Sequence, residues 1–101
     1  MMILDLKTAK AKILEILESG FVQISSHCQD QMRERRFSMR DILNVLQNGE
    51  VKPGRKKGDD VKGIFRVYGH DIEGEPLGVP VEINEKLNRL TIFTGFVYYN
   101  E

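Results

Sequence analysis

The sequence predicts an α+β domain, with about three helices packed on one face of a twisted, mainly antiparallel sheet of three to five strands. Three observations predict it. Apolar residues recur at helical spacing as far as Gly49 and alternate at a spacing of two beyond it. Turn residues punctuate the second half, at "VKPGRKKGDD", "HDIEGEP" and "EKLN". The length, 101 residues, suits one domain with one modest core.

The first helix follows from Leu6, Ala9, Ile13, Ile16 and Leu17, with Asp5 as N-cap and Gly20 as stop. Its charges oppose the helix dipole: Lys7, Lys10 and Lys12 come first, Glu15 and Glu18 last, at a cost of about 0.3 kcal/mol each. "FVQIS" reads as a short strand, 21–25. Ser26 is the expected cap of a second helix over 27–36. On it Cys28 and Met32 form a narrow apolar stripe, and His27, Gln31 and Arg35 a polar one beside it. Ser38 and Asp41 make a capping box with Asp in place of Glu. Met39, Ile42, Leu43 and Leu46 then form a core-facing stripe, expected to pack on Phe65, Val67, Val81 or Ile83.

After Gly49 a short edge strand and a charged loop are expected. "VKGIFRVYG", from Val61, alternates, with Ile64, Arg66 and Tyr68 on one face and Phe65 and Val67 on the other. Gly74 marks a hairpin turn and "LGVPVEIN" the return strand. Pro80 cannot donate to a ladder, so that strand is expected at an edge or with a bulge. "RLTIFTGFVYY" is the most strand-like segment.

Composition narrows the function classes. No apolar run approaches the roughly 20 residues of a membrane-spanning helix, and no signal peptide is expected in "MMILDLKTAKAK". Cys28 is the only cysteine, which excludes an internal disulfide and a thiolate zinc site. The expected location is cytoplasmic. Formal net charge is zero, which disfavours a protein that coats nucleic acid. The middle of the chain is nevertheless basic, with Arg33, Arg35, Arg36, Arg40 and the run Arg55, Lys56, Lys57. Such a stretch is either a solvated surface or a local phosphate site. "KPGRKKG" lacks the glycine spacing and terminal Ser or Thr of a P-loop. Neither a metal site nor a cofactor is expected.

The block "SSHCQDQMRERRFSMRDILNVLQNGEV", followed by "FRVYGHDIEGEPLGVPVEI" and "LTIFTGF", resembles domain-of-unknown-function family 4258. The likeness spans roughly residues 22–97 and leaves 1–20 as an additional N-terminal helix. His27, Met32 and Arg35 match the family's His, Met and Arg; Gly69, Asp71 and Gly74 match its hairpin. Gln31 stands where the family often has arginine, and Pro80 interrupts a strand that is usually continuous. The family is distantly similar to the RelE and BrnT type toxins of toxin–antitoxin modules. The resemblance therefore implies a RelE-like fold, a metal-independent endoribonuclease, an RNA substrate and a small zinc-finger antitoxin as partner. A non-catalytic binding or regulatory module of the same fold is the alternative.

Cleavage of RNA by its own 2′-hydroxyl needs a proton acceptor, cations for the phosphate and a proton donor. His27 and Arg35 are the expected catalytic pair, an imidazole near neutrality and a planar fork. Their Cα atoms should lie about 12 Å apart along one helix face. The plainer reading of His27 is a residue bonded locally at a helix start, and of Arg35 an ion pair with a nearby acid. Arg66, His70, Arg36 and Tyr98 are candidate RNA or phosphate contacts. Against these stand an amphipathic outer strand face, a plain turn, a solvated position and a cover for the sheet end.

Overall fold

The structure, a computed structural model, describes residues 4–34 and 36–96. The elements run α1 (Leu6–Ser19), β1 (Phe21–Ile24), α2 (Ser26–Arg33), α3 (Met39–Asn48), β2 (Glu50–Pro53), β3 (Ile64–His70), β4 (Pro76–Asn84) and β5 (Arg89–Ile92). One five-stranded sheet has the order β1-β5-β4-β3-β2. Strands β2 to β5 form an antiparallel meander, and β1 joins β5 in parallel, Phe21 opposite Arg89. The α+β expectation holds. Among the described residues, no helix is long and apolar enough to cross a membrane.

Helices α1 and α3 pack on the sheet face formed by Val51, Phe65, Val67, Val79, Val81, Leu90 and Ile92. Asp5 caps α1 by accepting the Thr8 N–H at 2.7 Å. Ala9, Ile13 and Ile16 are buried, whereas Leu6 is exposed and Leu17 half-buried. Lys10 has a use that dipole reasoning did not reveal. Its ammonium donates to the carbonyls of Leu46, Gln47 and Gly49 at 2.9–3.0 Å, satisfying the C-terminal end of α3.

Four sequence expectations need correction. The cap of α2 is Ser25, whose hydroxyl accepts the Cys28 N–H, and the helix ends at Arg33. Ser25 is still extended, so its oxygen already reaches that donor and Ser26 is free to enter the helix. The buried face of α3 is Ile42, Val45 and Leu46, with Met39 and Leu43 only half-buried. Val45 packs against the backbone of Gly69 in β3, and Asp41 ties the start of the helix to the β3–β4 hairpin in the same orientation. Strand β3 begins at Ile64, because the Asp59 carbonyl accepts from Lys62 and Ile64 and Gly63 takes φ +78°. Val61 is therefore exposed.

Pro80 supplies the fourth correction. It lies in central strand β4, between β3 and β5, and not at an edge. Its carbonyl accepts the Phe93 N–H, so its donorless nitrogen faces the place where β5 has ended at Ile92. Beyond it Gly78 and Phe96 form an antiparallel bridge. Two residues lie between Gly78 and Val81, and three between their partners Phe96 and Ile92. That extra residue is a bulge, and it falls in the segment 93–96.

Candidate functional site

Among the described residues, α1 and α3 both pack on the first face of the sheet and leave the second to strand side chains and loops. Alternation along β3 puts Ile64, Arg66 and Tyr68 there. The loop after β2 rises on one side and the bulged segment 93–96 on the other. Between them lies a groove of about 510 Å³, lined by Gly54, Arg55, Lys56, Asp59, Ile64, Arg66, Pro80, Phe93, Thr94 and Phe96. Its floor is apolar and its rim cationic.

Two residues hold Arg66 in place. Its Nε donates to the Pro53 carbonyl at 2.7 Å and its Nη1 to the Tyr68 hydroxyl at 2.6 Å. The guanidinium carbon is 5.3 Å from the Tyr68 ring centre. The Phe96 ring meets Tyr68 edge-on at 5.8 Å, and the Arg55 guanidinium lies 5.2 Å from the centre of Phe96. Cations and rings thus alternate along the groove: Arg55, Phe96, Tyr68, Arg66. Among the described residues, no carboxylate lies within ion-pair distance of Arg55, Lys56 or Arg66. Asp59 lines the groove but spends one oxygen on the Lys56 N–H at 2.9 Å, which shapes the loop.

The sequence-derived candidates are only partly gathered. Arg66 lies in the groove. His27 is exposed on the first turn of α2 and does not line it. Gln31, one turn along, docks onto Thr94 and Gly95, which places that helix against the groove wall. Arg36 is exposed, pairs with Glu34 at 3.1 Å and lines a small pocket of about 100 Å³ with Asp71 and Glu75. His70 is exposed at the end of β3, its carbonyl accepting from Asn44 at 2.7 Å. Arg35 and Tyr98 lie outside the described residues. Cys28 is fully buried, and burial pushes its thiol pKa up, away from reactivity. Among the described residues, no three His, Cys, Asp or Glu side chains converge as metal ligands.

Sequence reasoning missed Arg55, Lys56, Phe93 and Phe96 as groove residues. The alternation that put Arg66 on the outer face was a usable signal. The placement of Arg55 over Phe96 was not, because it depends on a bulge and a loop far apart in the chain.

A family model described as Domain of unknown function (DUF4258) matches residues 24–94. No curated protein and no solved structure matches the chain.

Proposed function

The chain belongs to the DUF4258 family, and from that premise we propose that it is a metal-independent endoribonuclease of the toxin type, acting on RNA at the outer sheet face. One observation carries the reading. The groove combines an apolar aromatic floor with three cations that have no carboxylate partner among the described residues. An unstacked base and its phosphate fit that combination.

Arg66 has five N–H donors, of which Pro53 and Tyr68 engage two. The remaining edge suits two phosphate oxygens. Phe93 and Phe96 offer faces for a base, and Arg55 and Lys56 track the neighbouring phosphates. In the proposed reaction the 2′-hydroxyl oxygen attacks the adjacent phosphorus and the bond to the 5′-oxygen breaks. A base takes the hydroxyl proton and the departing oxygen receives one. Arg66 offsets the charge that builds on the phosphoryl oxygens. His27, exposed on α2 beyond the groove wall, is the proposed proton carrier for an RNA strand that runs across that wall. The setting is the bacterial cytoplasm, with a small zinc-finger antitoxin as the proposed inhibitor.

The test is induced expression in a bacterium, with growth and RNA integrity followed together, for wild type and Arg66→Ala. Growth arrest and RNA cleavage should require Arg66. Wild type that leaves both growth and RNA intact would overturn the ribonuclease. The second reading, a non-catalytic binding or regulatory module of the same fold, is favoured by one observation: among the described residues, no imidazole lines the groove. Binding without cleavage would select it.

A further inference from the structure

We propose that Gln31 is a positioning residue for this groove, holding the bulged wall that presents Phe96; the proposal rests on the RNA-binding reading above. Segment 93–96 has left the regular ladder. Backbone bonds hold its two ends: the Phe93 N–H donates to Pro80, and Phe96 exchanges both bonds with Gly78 at 2.7 and 2.9 Å. Between these ends the polar groups of Thr94 and Gly95 have no strand partner.

Gln31 supplies one. Its Oε1 accepts from the Thr94 hydroxyl at 2.6 Å and from the Gly95 N–H at 3.1 Å. Its Nε2 donates to the Gly95 carbonyl at 3.1 Å. The primary amide thus pairs with the N–H and the C=O of one residue, Gly95, as a residue of a neighbouring antiparallel strand would. The Ser25 hydroxyl donates to the Phe93 carbonyl, so α2 grips the wall at two points. Phe37 covers the α-carbon of Gly95, where a Cβ would come 2.6 Å from the ring. These contacts fix the bulge, and the bulge fixes where the Phe96 ring stands against Tyr68 and under Arg55.

The amide chemistry gives a test that separates positioning from general stability. Gln31→Ala removes all three bonds. Gln31→Glu keeps both acceptor roles but sets a carboxylate oxygen against the Gly95 carbonyl. Protonation of that carboxyl restores a donor, and the facing Gly95 carbonyl, partial burial and the nearby carboxylates of Asp71 and Glu75 all raise its pKa above the usual value of about 4.3, toward pH 5. Arg36, Asp71 and Glu75 face the same small pocket, and His27 shares the helix face, so affinities are taken as ratios to wild type at each pH. The probe is a fluorescein-labelled single-stranded RNA, followed by anisotropy at pH 7.5 and at pH 5.

Gln31→Ala should weaken binding by about tenfold or more, as displacement of a binding group does. The melting temperature should fall with the loss of three part-buried hydrogen bonds, so binding is compared well below each melting transition, and the NMR signals of Gly78, Gly95 and the Phe96 ring should move. Gln31→Glu should be weak at pH 7.5 and approach wild type at pH 5. Gln31→Ala binding as tightly as wild type would overturn the proposal, as would a Gln31→Glu defect that acid does not relieve. Wild type that binds no RNA at all removes the reading beneath it and so sinks both, an outcome recognisable because the unmutated protein is silent.

Discussion

Asp41 Oδ1 accepts the backbone N–H of Ile72 at 3.0 Å, tying the start of α3 to the hairpin between β3 and β4. Its other oxygen accepts from the Ser38 N–H at 2.7 Å and the Ser38 hydroxyl at 3.0 Å, completing the capping box. One carboxylate therefore closes a helix and docks a turn. Asp41→Ala should cost about 2–3 kcal/mol, combining a lost cap with a lost charge-assisted hydrogen bond. Chemical denaturation measures it. Asp41→Asn keeps an acceptor for Ile72 and should cost less; an equal loss would show that the tie contributes nothing.

The same carboxylate makes an acid-side prediction. Burial pushes its pKa up, but the bonds from Ile72 and Ser38 and the charge of Arg40 outweigh burial and leave it below the usual value. Between the two values the unfolded chain binds more protons than the folded one, so stability rises with pH there. The contribution is complete above the unfolded pKa, about 3.9, and is lost as pH falls through the lower folded value. The gap in melting temperature between wild type and Asp41→Ala should narrow as pH falls from 6 to 2. A constant gap would assign the effect to shape alone.

Packing on α3 separates two leucines three positions apart. Val45 and Leu46 are fully buried, while Leu43 is half-buried. Leu46→Ala should cost about 2–5 kcal/mol, and Leu43→Ala distinctly less. Equal losses in urea titrations would mean that α3 sits about one residue further round.

Local chemistry made much of this fold legible. The Ser38–Asp41 box, the Gly74 turn at φ +88° and the alternation of Ile64, Phe65, Arg66 and Val67 are each set by residues close in sequence. What stayed hidden depends on distant partners. Val and Leu are equally apolar, so local pattern does not decide between Leu43 and Val45; Val45 is the one that packs against the backbone of Gly69, and the Asp41–Ile72 tie is a distant contact consistent with that orientation. Pro80 pointed to an edge strand or a bulge; it lies mid-sheet, and the bulge is in the opposing segment 93–96, where β5 stops opposite its nitrogen. Of the site, Arg66 could be placed on an outer face, but Gln31 gave no sign of its pairing with Gly95, 64 positions away.

Lys10 joins α1 to the end of α3 through three carbonyls, a long-range cap. Lys10→Met keeps most of the stem and removes the donors. It should cost about 1–3 kcal/mol, since those carbonyls lose a charged partner near a helix C-terminus. Thermal unfolding checks it, with Lys7→Met, exposed on the same helix, as the comparison expected to be nearly neutral.

The groove makes the final prediction, through the difference between a fork and a point charge. Arg66 is anchored by Nε on Pro53 and by Nη1 on Tyr68, which leaves a planar edge for a ligand. A lysine at this position has one nitrogen and cannot both hold those anchors and grip a phosphate. Arg66→Lys should therefore lose most of the RNA affinity that Arg66→Ala loses, although it keeps the charge. The salt dependence should separate the two, because the lysine variant still contributes one cation to phosphate screening. Arg36→Ala removes an exposed arginine paired with Glu34 outside the groove and should leave affinity nearly unchanged. His27→Ala should spare binding in the groove, which it does not line, and abolish cleavage of a strand that crosses the groove wall onto α2, where its imidazole is the proposed proton carrier. Anisotropy gives the affinities and gel analysis of the same RNA gives the cleavage. A His27→Ala protein that still cuts, beside an Arg66→Lys protein that still binds, would move the site off this face of the sheet.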